Sequence, residues 1–149
     1  MNPISIVIIT LNEEKRIGRL LEDLTKQTHQ NFEVIVVDSN SEDSTREVAQ
    51  AYESALSELT VHHMDTRGVS LGRNTGAELA KYERILFLDA DVRLPSDFLS
   101  RAMSKLEDAK LEVAGVCTWA QKICQWRISW VTGCLTRVCL LLSTLFQRR

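Results

Sequence analysis

Glycine and proline are scarce, six and two in 149 residues, which excludes collagen-like repeats and low-complexity linkers. With 44% hydrophobic and 26% charged residues, the chain is globular. Its length suits one core, since single domains span roughly 100–200 residues. The four cysteines (Cys117, Cys124, Cys134, Cys139) are confined to the C-terminal end, and no pair is spaced as C-x-x-C. Neither a disulfide framework nor a zinc site is expected from them. They read as small apolar residues in a reducing compartment. No secretory signal precedes the first apolar run at Ile4, so the expected location is cytoplasmic, extending to the inner face of the membrane. Acidic residues are missing after Glu112: all twenty Asp and Glu lie between Glu13 and Glu112 beside thirteen Lys and Arg, a balance of −7. Five Lys and Arg follow with no acid, a balance of +5. The overall net charge of −2 argues against a nucleic-acid binder working by bulk electrostatics.

What is present is an alternation of short apolar runs and amphipathic segments. Ile4 to Ile9 is β-branched and apolar on both faces, as a strand covered by helices on both sides requires. Asn12 is expected to cap a helix that buries Ile17, Leu20, Leu21 and Leu24. A second strand runs from Glu33 to Val37 and ends at Asp38. Its helix presents Thr45, Val48, Ala49, Tyr52 and Leu56 on one face. Leu59 to His63 is a weaker third strand, Ser70 to Lys81 a helix of small residues, and Arg84 to Leu88 a fourth strand ending at Asp89. A helix after Pro95, capped by Ser96, turns Leu99, Ala102, Met103 and Leu106 inward; Glu112 to Val116 is a fifth strand. The expected fold class is α/β, a mostly parallel sheet flanked by helices.

Residues 1–118 read as the α/β domain and 119–149 as an apolar, basic helical tail, either membrane-associated or a remainder of the same domain. Between Ile128 and Phe146 the only strongly polar side chain is Arg137, and the stretch approaches the ~20 residues of a membrane span. A mid-span Arg costs roughly 2.5–3.5 kcal/mol on insertion scales. A C-terminal apolar helix lying in the membrane interface, with its Arg residues at anionic headgroups, is therefore expected, alongside an ordinary core helix whose partner is absent.

Ligands of open parallel sheets bind beyond the carboxyl ends of the strands. Thr10-Leu11-Asn12-Glu13, Asp38-Ser39-Asn40-Ser41 and Asp89-Ala90-Asp91 each follow a strand. Asp89 and Asp91 bring two carboxylates into one small site, and a hard divalent cation, Mg²⁺ or Mn²⁺, would relieve their repulsion. A loop Asp pair capping the next helix is the alternative for an isolated D-x-D. Asp38 is placed to accept from a base N–H or a ribose hydroxyl, and Arg67 and Arg73 beside glycines suit a diphosphate. No G-x-G-x-x-G follows the first strand and no G-x-x-x-x-G-K-[ST] occurs, which leaves dinucleotide and P-loop readings without their phosphate turn. His62 and His63, adjacent in a strand and so on opposite faces, are assigned to structure.

IVIITLNEEKRIGRLLEDL, FEVIVVDSNSEDSTREVAQAY and RGVSLGRNTGAELAKYERILFLDADVRLPSDFL together resemble the N-terminal, nucleotide-sugar-binding half of a family 2 glycosyltransferase with the GT-A fold, over roughly Ile4 to Val116. The resemblance implies that Thr10, Asn12 and Glu13 border the nucleobase and that Asp38 holds the base or ribose. Arg73 would approach base and diphosphate, Asp89 would lie near the ribose, and Asp91 would ligate the metal. It further implies a UDP- or GDP-sugar donor, a lipid or glycan acceptor, and inversion at the anomeric carbon with a carboxylate as base. The family takes that base from a C-terminal acidic motif, which this chain lacks, so a truncated donor half is the expectation. A nucleotide-binding or membrane-associated module without catalysis is the alternative. A nucleotidyltransferase is disfavoured because TLNEE stands where its glycine-rich, basic loop would follow the first strand.

Overall fold

The structure is a computed structural model that describes residues 3–109, with backbone alone for 108–109, 115–116, 123–124 and 138–141. The elements alternate: β1 (Ile4–Thr10), α1 (Ile17–Thr25), β2 (Phe32–Asp38), α2 (Thr45–Gln50), β3 (Leu59–His63), α3 (Val69–Leu79), β4 (Arg84–Asp89) and α4 (Phe98–Ala109). Short strands β5 (Gly115–Val116), β6 (Ile123–Cys124) and β7 (Val138–Leu141) follow. The sheet order is β3-β2-β1-β4-β7-β5-β6, with β1, β2, β3 and β4 mutually parallel and β5–β6 antiparallel. The expected α/β class, a mostly parallel sheet between helices, is the observed one.

The period of two along each strand explains the layering. Ile4, Ile6 and Ile8 face the side that carries Leu20, Leu21 and Leu24 of α1 and Leu99, Met103 and Leu106 of α4. Val7 turns the other way with Ile35, Val37, Ile85 and Phe87, where Ala77 of α3 packs. Ile6, Ile8 and Val7 are fully buried, each stabilising the fold by about 1.5–3 kcal/mol of transfer free energy. At the amino ends of the strands the buried Ser5 and Glu33 are satisfied locally: Ser5 Oγ and the Lys81 N–H donate to Glu33 Oε1 at 2.5 and 2.6 Å.

Several boundaries depart from the sequence expectation. Asn12 does not cap a helix; its φ of 56° is left-handed, residues 13–16 form a turn closed by Ile17 N–H to Glu13 O at 2.9 Å, and α1 starts at Ile17. Asn tolerates that conformation because its short polar side chain bonds locally. The second helix stops at Gln50, and Tyr52 and Leu56 lie in successive turns that still pack on the core. Ser96 lies two residues ahead of α4, its carbonyl accepting the Thr28 N–H at 2.8 Å. Most of the expected 128–146 helix lies outside the described residues, but Val138–Leu141 within it is strand, paired parallel with β4 from Arg84↔Val138 to Phe87↔Leu141. A short apolar run does not distinguish helix from strand by periodicity, and here backbone pairing along β4 decides it. Of the fifth expected strand, Gly115–Val116 is β5, and 112–114 lie outside the described residues. Among the described residues no helix is long and apolar enough to cross a membrane.

Helix α3 comes unusually close to the sheet. A methyl group on Gly76 would overlap Val7 Cγ1 and approach Val37 Cγ2 at 3.2 Å. Alanine is the better helix former by about 1 kcal/mol, but Val7 sits in a filled strand and cannot yield. Gly76→Ala is expected to destabilise the domain by about 1–3 kcal/mol net, read as a lower urea midpoint at unchanged m-value.

Candidate functional site

Parallel pairing brings the carboxyl ends of the strands to one rim. Thr10 of β1 stands opposite Asp38 of β2, Asp38 opposite His63 of β3, and Ile9 opposite Asp89 of β4. Asp38 is fully buried. Its Oδ2 accepts from the Ser41 N–H at 3.1 Å and lies 3.1 Å from His63 Nδ1, while Thr10 Oγ1 donates to Oδ1 at 3.4 Å. Arg46 Nε stands 3.8 Å from Oδ2. These donors replace the water that a buried carboxylate has lost.

The loop after β1 is laced to the loop after β2. The Asn12 N–H donates to Ser41 Oγ and Asn12 Oδ1 accepts the Glu42 N–H, both at 2.9 Å. The Glu13 N–H donates to Thr45 Oγ1 at 2.8 Å, and the Glu14 N–H to Asp43 Oδ2 at 3.2 Å. Burial pushes the Asp43 carboxyl upward, but hydrogen bonds from the Thr45 hydroxyl and from the Glu14 and Thr45 N–H groups outweigh it and hold the group below the usual range. Asn40, at φ 61°, turns the second loop.

Across the rim, Arg73 Nη2 bonds Asp89 Oδ1 at 3.4 Å, both side chains about a third exposed. Gly72 lets α3 lie against Ile9 and Ser39: a Cβ there would meet Ile9 Cγ2 at 3.0 Å and Ser39 Oγ at 3.5 Å. Ser39 Oγ and Arg73 Nε are both buried and make no hydrogen bond among the described residues. β4 ends at Asp89, and Asp91 follows in a turn, exposed. The Arg16 guanidinium is raised first by its bond to Glu13, 3.0 Å away, and secondarily by the charge of Asp91. Arg67 serves the loops instead, pairing with Glu42 Oε1 at 2.5 Å.

The turn that carries Asp91 is held from beneath by α1. Arg93 Nε and Nη2 bond Asp23 Oδ2 and Oδ1 at 2.6 and 2.9 Å, and the Leu94 N–H adds a third donor at 3.0 Å. These bonds, led by Arg93, hold the Asp23 carboxyl below the usual aspartate range against its own desolvation. Gln27 closes the same seam, donating to Pro95 O at 2.7 Å and accepting the Leu99 N–H at 3.0 Å.

Of the residues singled out from sequence, Thr10 and Asp38 touch, Arg73 and Asp89 touch, Asn12 and Glu13 lie in the loop laced to the residues after Asp38, and Asp91 occupies the neighbouring turn. His63, read from the sequence as structural, bonds Asp38 directly. The signal available was positional: His63 ends its strand as Asp38 ends its own. The sequence assigns no role to Ser41 or Arg46 either: the Ser41 contact is made by its backbone N–H, which carries no residue signature, and Arg46 brings its side-chain Nε to Asp38 from α2. Among the described residues no three His, Cys, Asp or Glu are grouped to hold a metal by themselves. Asp89 and Asp91 supply hard oxygen donors only, a set that fits Mg²⁺ or Mn²⁺ when phosphate oxygens complete the shell.

The profile of glycosyl transferase family 2 matches residues 5–144. The chain belongs to this family. A putative glycosyltransferase, EpsH of Bacillus subtilis, is 30% identical over 105 residues, 70% of this chain and 30% of that protein. Among solved structures, S. aureus TarS 1-349 in complex with UDP-GlcNAc superposes with a TM-score of 0.70 at 29% identity, covering 84% of this chain and 37% of the TarS 1-349 chain. The mannosyltransferase PcManGT of Pyrobaculum calidifontis, in complex with GDP-Man and Mn²⁺, gives 0.70 at 28% identity over 76% and 34%. The chain spans about a third of the length of the curated relatives it matches.

The Asp23 carboxylate has a lowered folded-state pKa, so its contribution to stability is complete above the ordinary aspartate range and is lost as pH falls through the folded value. Asp23→Asn is expected to lower the Tm at neutral pH and to converge on the wild type under acid. Thermal melts across pH 2–7 check this; a constant difference at all pH would contradict it.

Proposed function

We propose that this chain is the donor half of a metal-dependent, inverting glycosyltransferase that binds a UDP- or GDP-sugar along the carboxyl rim of its sheet. The observation that carries this reading is the row of polar groups across four adjacent strands: His63 and Asp38, then Thr10, then Asp89 with Arg73. Three strand spacings separate β3 from β4, about 14 Å, a span suited to an extended nucleoside diphosphate. Family membership and the nucleotide sugars carried by TarS and PcManGT favour the same ligand class.

In this reading the Asp38 end, bordered by Thr10, Asn12 and Glu13, takes the nucleoside, and Arg73 and Asp89 take the ribose and diphosphate. The unpaired Nε of Arg73 is a charged donor available to a phosphate oxygen after a small side-chain movement. Asp91, with Asp89 beside it, would hold Mg²⁺ or Mn²⁺ jointly with the diphosphate. The metal, when bound, offsets negative charge as the nucleoside diphosphate leaves. Arg73 and the turn held by Asp23 keep that leaving group oriented, so that charge develops against fixed partners. An acceptor hydroxyl, of a lipid or a glycan, would attack from the opposite side of the anomeric carbon. The base that takes its proton is left unassigned in this chain. The cytoplasmic face of a membrane is the proposed location, from the basic, apolar C-terminal sequence.

Calorimetric titration of the chain with UDP-GlcNAc and GDP-mannose tests the reading. Binding of one donor, strengthened by Mn²⁺, is expected. Asp91→Ala should abolish the Mn²⁺ effect, and Arg73→Ala should weaken binding by about tenfold or more, the scale of one charge-assisted hydrogen bond. The reading fails if no nucleotide sugar binds, or if Asp91→Ala leaves the metal dependence intact.

A further inference from the structure

Asp91 has a cation for a near neighbour in its own segment. Asp91 and Arg93 are both exposed, on either side of the buried Val92. Two residues span at most about 7 Å of chain, so an arginine side chain at 93 has the length to reach the carboxylate at 91. Left uncommitted, Arg93 would be an internal counter-ion for Asp91 and would compete there with a divalent cation.

Arg93 is committed elsewhere. Its Nε and Nη2 are bonded to the two oxygens of Asp23 at 2.6 and 2.9 Å, and Asp23 Oδ2 also accepts the Leu94 N–H at 3.0 Å. The Asp23 side chain is only 9% exposed, against 62% for Arg93. A two-pronged bond to a carboxylate set into the protein holds its arginine in one orientation far better than a single contact on the surface does. The guanidinium is raised first by its bond to Asp23 and by that carboxylate's charge, and secondarily by Glu22. Arg16, whose charge meets that of Asp91, likewise has a carboxylate of its own, Glu13 at 3.0 Å.

Resting on the metal placement at Asp91 given under the donor-site reading, we propose that Asp23 is a positioning residue for the divalent-cation site: by holding Arg93 it keeps that cation off Asp91 and leaves the Asp91 carboxylate open to metal. Cation affinity then depends on a carboxylate of α1 that touches neither metal nor nucleotide. A residue that only braced the turn would behave differently. Removing the charge of Arg93 would loosen such a brace and weaken metal binding, whereas it removes the competitor in the arrangement proposed here.

Four chains separate the two roles: wild type, Asp23→Asn, Arg93→Gln and the double variant. Each is saturated with UDP and titrated with Mn²⁺, the free ion being read by electron paramagnetic resonance below the Tm of that chain. Asp23→Asn leaves one acceptor oxygen for three donors and a neutral partner for the guanidinium, and should weaken Mn²⁺ binding by about tenfold. Arg93→Gln should bind Mn²⁺ as tightly as the wild type or more so, and the double variant should recover most of the loss. An Asp23→Asn affinity equal to that of the wild type overturns the inference. So does an Arg93→Gln or double variant as weak as Asp23→Asn, which assigns Asp23 to bracing the turn; either result leaves the donor-site reading standing. If the wild type binds no UDP, or takes up no Mn²⁺ with it, the donor-site reading fails and the inference falls with it.

Discussion

A carboxylate deprived of water governs the rim of this protein. Asp38 is completely buried at the end of β2, and an unpartnered charge in that position would cost several kcal/mol. Its donors come from separate elements: Thr10 from β1, the Ser41 N–H from the loop beyond β2, His63 from β3. Satisfying one side chain therefore fixes the ends of three strands at a common height and folds the 39–45 loop back over them. The lacing of Asn12 and Glu13 to Ser41, Glu42 and Thr45 continues the same construction outward.

A second buried carboxylate, Asp23, does for the loop after β4 what Asp38 does for the loops after β1 and β2. Arg93 and Leu94 are bound to it from a segment seventy and seventy-one residues away in sequence. Between these two anchors the rim carries Arg73, Asp89 and Asp91, each at least partly exposed, and the buried Ser39 Oγ and Arg73 Nε, which make no hydrogen bond among the described residues. Rigid supports flanking unsatisfied donors and acceptors are what a site for a polyanionic ligand needs, because the ligand then meets groups already in position. The α/β sheet is shared by proteins of many activities, so the functional reading rests on this rim and on family membership rather than on the architecture.

Legibility from sequence followed the length scale of each interaction. The runs at Ile4, Phe32 and Arg84 are apolar on both faces, and only a sheet covered on both sides tolerates that. The Asp at each strand end was equally plain. Helix starts were less so, since Asn12 spends its side chain on the 41–45 loop and not on the helix beside it. The expected 128–146 helix contains the Val138–Leu141 strand, because an apolar run looks the same in either state until a neighbouring strand is there to pair with it.

Local physics thus determined the alternation of strands and helices, their inward faces, and which strand ends carry carboxylates: each depends on residues within a few positions of one another. Tertiary structure decided the rest. How deeply Asp38 is buried, that His63 stands against it, and what Asp23 restrains are all questions of register between strands and of contacts between segments 25 to 71 residues apart. Hydrogen bonds of that kind join a side chain to a backbone group or a ring nitrogen whose position is set only when the sheet has assembled.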